Sequence, residues 1–147
     1  MGAILVVILM DKIIEKLNKL GHHLNTMNSL DLEHFKEAYS VELPAMLDEY
    51  FVSIVGKKGL EVNHVFLCGI DDFKPISTSQ SSQSHLDDSH FIIGDFDDWC
   101  WGYAIDVTSP LGEVFLIGRE STPLIKIADS LEQFLKFCIE DDKALLG

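Results

Sequence analysis

The side chains best suited to catalysis or binding lie close together in one short segment. Three carboxylates stand there beside an indole: Asp95, Asp97, Asp98 and Trp99. Carboxylates can bind Ca²⁺ or Mg²⁺, but this segment lacks the Asp-x-Asp-x-Asp-Gly spacing and distant Glu of a calcium loop. It also lacks the substrate-binding context of an acid/base pair. Aromatic anchors with negative charge instead favour a patch that binds a basic partner protein.

A plainer interpretation of this segment stays open. Trp99 and Trp101 can fill the core while the carboxylates form a solvated turn, and at least one indole is expected inside because alternate strand residues face opposite sides. Two further acidic pairs, Asp71-Asp72 and Asp87-Asp88, are interpreted first as helix or turn caps and second as interface residues. If the fold brings all of these carboxylates together, they form one acidic face.

No other pattern in the sequence supplies catalytic chemistry. The six histidines lack the i, i+4 spacing plus glutamate of zinc hydrolases, and the nucleophile elbow, phosphate-binding loop and dinucleotide-binding glycine pattern are absent. Cys68, Cys100 and Cys138 are far apart with apolar or aromatic neighbours, so we expect buried thiols in a reducing cytoplasm. The sequence therefore predicts no catalytic residues, no metal, no cofactor and no enzymatic activity.

The net charge of the chain indicates which classes of partner it can bind. The 147 residues include 24 acidic and 11 basic side chains, which gives a formal net charge of -13. Such a chain repels phosphate backbones and anionic lipid headgroups, and it attracts basic proteins over long range. We therefore expect a basic protein partner, no nucleic acid and no membrane, although the charge can also serve solubility alone.

Helices are expected in the first part of the chain. A first helix ends at Gly21, Ser29 and Asp31 can cap a second, and Pro44 can begin a third. The apolar stripes are Ile13, Ile14, Leu17 and Leu20 in the first helix and Leu47, Tyr50, Phe51 and Ile54 in the third.

Short β-rich runs follow at 62–70, 91–94, 103–107 and 112–117, bounded by turn-forming residues. Residues 77–84 contain no apolar side chain, which predicts a surface loop. Ser130 and Gln133 fit a capping box for a closing helix with the stripe Leu131, Phe134, Leu135 and Cys138. The order predicts an α+β fold in which a meander is closed by a helix.

The apolar run 2–10 resembles a signal-peptide core or the start of a membrane span. It is far shorter than the ~20 residues of a spanning helix, no basic residue precedes it and no cleavage site follows it. It is interpreted either as a buried addition to the first helix or as a non-native extension ahead of a true start at Met10. We expect one globular unit, with residues 1–28 as the apolar segment and first helix and residues 29–147 as the main domain.

In this order of segments the chain resembles a SUKH-superfamily domain, the fold of cell-wall-assembly-regulator-like proteins. The resemblance covers residues 29–139, and its strongest part is the final strand, the residues Ile-Ala-Asp-Ser and the helix after them. The other segments that carry it are 43–51, 91–95, 103–106 and 112–115. Residues 97–101 replace the short Gly-rich turn that is usual in the family. The resemblance implies an α+β domain with a mixed, largely antiparallel sheet and helices packed against it.

The resemblance also implies a function. Bacterial members are commonly immunity proteins, which bind and neutralise toxins delivered between competing cells, many of them nucleases. A nuclease must be basic to hold phosphate, so an acidic inhibitor can occupy that surface. The first hypothesis is therefore a cytoplasmic immunity protein that binds a basic toxin through an acidic exterior. It expects no deep cleft of converging ionisable groups.

Two other hypotheses stay open. One is an intracellular adaptor or regulatory scaffold module without a toxin partner. The other is a metal-assisted hydrolase that uses Asp95, Asp97 and Asp98.

Overall fold

The computed structural model describes residues 2–76, 89–117 and 125–147, and of residues 2–9 it describes the backbone alone. Three helices come first: α1 (Gly2–Lys19), α2 (Ser29–Tyr39) and α3 (Ala45–Ser53). Six strands follow: β1 (Leu60–Val62), β2 (Val65–Leu67), β3 (His90–Phe96), β4 (Trp101–Asp106), β5 (Val114–Ile117) and β6 (Ile125–Ala128). Helix α4 (Leu131–Glu140) and a 3-10 turn (Lys143–Leu146) end the chain.

The strands form one sheet in the order β1-β2-β3-β4-β5-β6, and each neighbouring pair is antiparallel. The predicted single-domain α+β fold with a meander is therefore confirmed. The expected strand at 62–70 is instead a hairpin of β1 and β2, which turns at Asn63 with a φ of 54°. Asn tolerates this left-handed conformation better than most residues do. The predicted surface loop at 77–84 lies outside the described residues.

The first helices differ from expectation at their ends. The apolar run and the amphipathic segment form one continuous helix, α1, and Leu20 lies beyond its end and is exposed. Helix α2 is capped by Asn28, whose Oδ1 accepts a hydrogen bond of 2.7 Å from the Leu30 N–H, and not by Ser29 or Asp31. No helix in the described ranges is both long and apolar enough to cross a membrane.

Helices α3 and α4 follow the sequence closely. The stripe Leu47, Tyr50, Phe51 and Ile54 is fully buried, as is the stripe Leu131, Phe134, Leu135 and Cys138. The Ser130 Oγ accepts a hydrogen bond of 3.1 Å from the Gln133 N–H, and the Gln133 side chain accepts one of 2.7 Å from the Asp129 N–H. In a standard capping box the second of these bonds comes from the N–H of the cap residue, whereas here it comes from the residue before the cap. The two bonds together fix the start of α4.

The helices cover one face of the sheet. Residues such as Phe51 and Phe134 form the main core with inward residues of the strands, and Met10, Ile13 and Leu17 of α1 belong to the same cluster. A smaller cluster lies on the opposite face and contains Cys68, Ile76, Ile92, Ala104 and Ile117, with Phe66 packed against it. The two faces of the sheet therefore use separate sets of side chains.

A β-bulge in β3 decides which face Asp95 occupies. The pairs on either side of it are Ile92 with Ala104 and Gly94 with Tyr103, so β3 holds one extra residue. Phe91 and Ile93 both belong to the main core, and in a regular strand Asp95 would share their face. The bulge shifts the alternation by one residue and places Asp95 on the face opposite the helices.

Candidate partner-binding groove

A groove of about 440 Å³ lies over β1, β2 and β3 on the face opposite the helices. Its acidic, basic and histidine lining residues are Glu61, His64, Asp72, Lys74, Asp95, Asp97 and Asp98. Phe66 and Trp99 add two aromatic rings to the lining. We call this site the acidic groove, because it holds five carboxylates against one lysine. Asp72, Asp95, Asp97, Asp98 and Trp99 of the predicted patch converge here.

The register of the sheet builds the floor of the acidic groove. Across the strands, Glu61 pairs with Phe66, Phe66 with Asp95, and Asp95 with Gly102. Side chains paired in this way share a face, with Cβ atoms about 4.5–5.5 Å apart. An aromatic ring therefore stands between two carboxylates.

Asp95 is buried, contrary to the prediction of an exterior contact residue. It is 5% exposed, and its Oδ1 accepts a hydrogen bond of 3.3 Å from the Trp99 N–H. Desolvation raises the pKa of this carboxyl, and the negative charges of Asp98, Glu61 and Asp72 raise it further, while the hydrogen bond from Trp99 acts in the opposite direction. Asp95 therefore forms the bottom of the groove, and the more exposed carboxylates form its sides.

The β3–β4 connection holds three consecutive residues in the left-handed region. The φ angles are 44° at Asp97, 53° at Asp98 and 71° at Trp99. This conformation costs about 1–2 kcal/mol per non-glycine residue, and a residue as bulky as Trp rarely adopts it. Backbone strain of this kind concentrates at functional sites, where the surrounding structure over-determines it.

Several contacts hold this connection in place. The Asp97 N–H donates to the His64 carbonyl at 2.9 Å, and Asp97 Oδ1 lies 3.0 Å from His64 Nδ1. His64 Nε2 lies 3.9 Å from Asp141 Oδ2, beyond the end of α4. Asp97 is therefore partly engaged within the protein, whereas the described structure gives the Asp98 side chain no hydrogen bond or ion pair.

The two tryptophans have different surroundings. Trp99 is 53% exposed, and its ring lies over Gly102, where a Cβ atom would stand 3.0 Å from Trp99 Cζ3. Trp101 is partly buried: its ring stacks on Phe96 at 4.4 Å, and its Nε1 donates to the Tyr103 hydroxyl at 2.9 Å. Trp101 thus packs against the interior, as expected of at least one indole. Trp99 is the exposed aromatic side chain.

The remaining predicted residues lie elsewhere. Asp71 is exposed but does not line the acidic groove. Asp87 and Asp88 lie outside the described residues. The expectation of three buried thiols is wrong for Cys100, which the β3–β4 connection leaves exposed, whereas Cys68 and Cys138 are buried.

The expected exterior patch is in fact a concavity with converging ionisable groups. A carboxyl with a raised pKa in a cleft is also a feature of acid/base catalysts. However, the described lining contains one histidine and one thiol, His64 and Cys68, and no hydrogen bond joins them. Burial raises the pKa of Cys68 to about 12. Among residues 2–76, 89–117 and 125–147, no three His, Cys, Asp or Glu side chains come together as metal ligands.

Sequence reasoning missed Glu61, His64 and Phe66 as parts of this site. They lie about 30 residues before Asp95 and reach it only through the pairing of β2 with β3. The available signal was the Asn63-His64 pair inside the predicted β-rich run 62–70, since Asn favours tight turns. A hairpin there would have placed Glu61 and Phe66 on neighbouring strands.

Comparison with known proteins gives no family: no protein-family model and no curated protein matches this chain.

Proposed function

We propose that this protein is an immunity-type inhibitor that binds and neutralises a basic protein toxin by direct contact. The observation that carries the proposal is the acidic groove, in which five carboxylates face one lysine beside the half-exposed Trp99. Aromatic anchors beside complementary charge dominate the energetics of protein interfaces.

Negative charge supports the proposal both during the approach of a partner and at direct contact. The net charge of -13 accelerates the approach of a basic partner over long range. At contact, Asp72 and Asp98 offer exposed carboxylates, and Trp99 offers apolar area fixed by a strained backbone. A pre-organised anchor loses little entropy on binding.

The class of toxin follows from the same complementarity. A toxin that cleaves nucleic acid needs a basic surface to hold phosphate, and an acidic inhibitor can cover that surface. The SUKH resemblance of segments 43–51, 91–95 and 127–135 points to the same class. Such an inhibitor would act in the cytoplasm, where a nuclease toxin meets its substrate.

The test is co-expression and co-purification with the protein encoded beside this gene, together with rescue of cells from its toxicity. Trp99→Ala should weaken the complex by roughly 30-fold or more, as for an aromatic hot spot. Leu30→Ala, an equally exposed apolar site on α2, should leave affinity unchanged. Recovery of housekeeping proteins only, without rescue, would instead support the adaptor hypothesis.

The salt dependence of the association rate distinguishes electrostatic steering from binding by direct contact alone. At about 0.5 M salt the screening length falls below ~5 Å, so the association rate with the toxin should drop steeply. An association rate that does not change with salt would contradict the role given to the net charge.

A further inference from the structure

We propose that the acidic groove is a receptor for one arginine side chain of the partner, whose guanidinium binds Asp95 between the rings of Phe66 and Trp99. The inference rests on the proposed function only in assigning that arginine to a toxin. Binding of the side chain itself is a property of the groove and can be tested alone.

Asp95 is incompletely hydrogen-bonded within the protein. This residue is 95% buried, yet only its Oδ1 has a hydrogen bond, which is long at 3.3 Å. Within the part of the chain that the structure describes, Oδ2 has no hydrogen bond and no cation lies within ion-pair distance of either oxygen. Oδ2 is not among the closed-off polar atoms of the described residues, so a donor that enters the groove can reach it, and such pairing offsets the cost of burying the carboxylate.

The charges around Asp95 are mostly negative. Asp98, Glu61 and Asp72 act on it as repelling charges. Among the described residues that line the groove, Lys74 is the one lysine or arginine. A cation bound at Asp95 would relieve this repulsion and make hydrogen bonds stronger than those between neutral groups.

The two rings beside Asp95 favour arginine over lysine. Phe66 is the cross-strand partner of Asp95 on β2, and the Trp99 ring lies over Gly102, the partner of Asp95 on β4. A planar guanidinium can stack on aromatic faces while its N–H groups bind a carboxylate, which an ammonium group cannot do in the same way. The groove therefore suits a planar cation whose N–H donors lie in the plane of the group.

The experiment is a titration of the full chain, followed by amide NMR shifts, with N-acetylarginine amide as the probe. The matched control probe is N-acetylcitrulline amide, which has nearly the same shape but no charge. We expect saturable shifts at Phe66, Asp95 and Trp99 with the arginine probe, and at least about tenfold weaker binding of the citrulline probe.

Variants locate the site. Asp95→Asn should weaken binding of the arginine probe at least about tenfold, because the charged acceptor is lost. Asp71→Asn removes an exposed carboxylate outside the groove and should change nothing. If Asp95→Asn fails to fold, Asp98→Asn serves in its place and should weaken binding to a smaller extent.

Four results would overturn the inference. They are shifts that do not saturate, equal binding of the citrulline probe, unchanged binding by Asp95→Asn, and displacement of the probe by micromolar Ca²⁺ or Mg²⁺, which would assign the groove to a metal. Failure of the probe with continued neutralisation of a toxin would remove this inference alone. Binding of the probe without any toxin partner would remove the proposed function alone.

Discussion

The ring of Trp99 lies over the backbone of Gly102, and a Cβ atom on Gly102 would stand 3.0 Å from Trp99 Cζ3. The absence of a side chain at residue 102 is therefore what allows the indole to fold against the sheet at the edge of the acidic groove. The same Cβ would stand 3.3 Å from Ile117 Cγ1, so the site has little spare room.

Gly102→Val should displace the Trp99 ring and weaken binding of a basic partner roughly tenfold, with a loss of about 1–2 kcal/mol in the free energy of unfolding. The position of the ring is measured by fluorescence in a Trp101→Phe background, where Trp99 is the only tryptophan. In a Trp99→Ala background, Gly102→Val should have no further effect on affinity. An unchanged emission spectrum would show that the ring does not depend on this space.

Asp95→Asn should increase stability at pH 7 while it weakens partner binding. The folded-state pKa of Asp95 is raised, so between its ordinary value near 3.8 and the folded value the folded protein holds a proton that the unfolded chain releases. Its contribution to stability therefore falls as pH rises through that window. The gain from Asn should be up to about 1 kcal/mol, the scale of a like-charge contact between paired strands.

Urea unfolding at pH 7 and at pH 3 measures this effect. The advantage of the Asn variant should be present at pH 7 and should shrink at pH 3, where the carboxyl is protonated in both states. A variant that is less stable than the parent at both pH values would mean that ionised Asp95 is stabilising.

The three thiols should react at very different rates. Burial raises the pKa of Cys68 to about 12 and that of Cys138 still further, so at pH 8 only roughly one Cys68 in ten thousand is a thiolate. A thiol reagent should titrate one cysteine rapidly in the native protein and three after denaturation. Cys100→Ser should remove the rapid phase, and a second rapid thiol would contradict the packing described around Cys68 and Cys138.

Tyr103→Phe should lower the free energy of unfolding by about 1–3 kcal/mol. The Tyr103 hydroxyl accepts from Trp101 Nε1 at 2.9 Å and donates to the Leu145 carbonyl at 2.8 Å, so its removal deprives a buried carbonyl of its donor. Tyr39→Phe, at an exposed ring on α2, should change stability by less than about 0.5 kcal/mol. Equal effects of the two substitutions in thermal unfolding would mean that the two hydrogen bonds of the Tyr103 hydroxyl do not stabilise the protein.

The sequence predicted those parts of the fold that depend on local chemistry. The buried stripe of α3 and the cap at Ser130 could be derived because helical spacing and capping involve residues within four positions of each other. The cap of α2 was misplaced because Asn28, Ser29 and Asp31 are all good capping residues. Local rules could not choose among them.

The site was only partly predictable, for a different reason. Asp97, Asp98 and Trp99 were found because they are adjacent in the sequence. The place of Asp95 in the groove was missed because its face depends on a bulge at Ile93, and the neighbouring Gly94 suggests a bulge without saying where the extra residue lies. Glu61 and Phe66 were missed because their place in the groove is set by strand register.

The separation of the two faces of the sheet has a consequence for how this protein can change. Main-core residues such as Ile93 and Tyr103 hold the helices, whereas Glu61, Asp72 and Asp98 stand apart from that packing. Substitutions at these three positions can therefore change the charge of the acidic groove without any repacking of the interior. For an immunity-type inhibitor as proposed above, such changes would alter which toxin is bound while the scaffold stays the same.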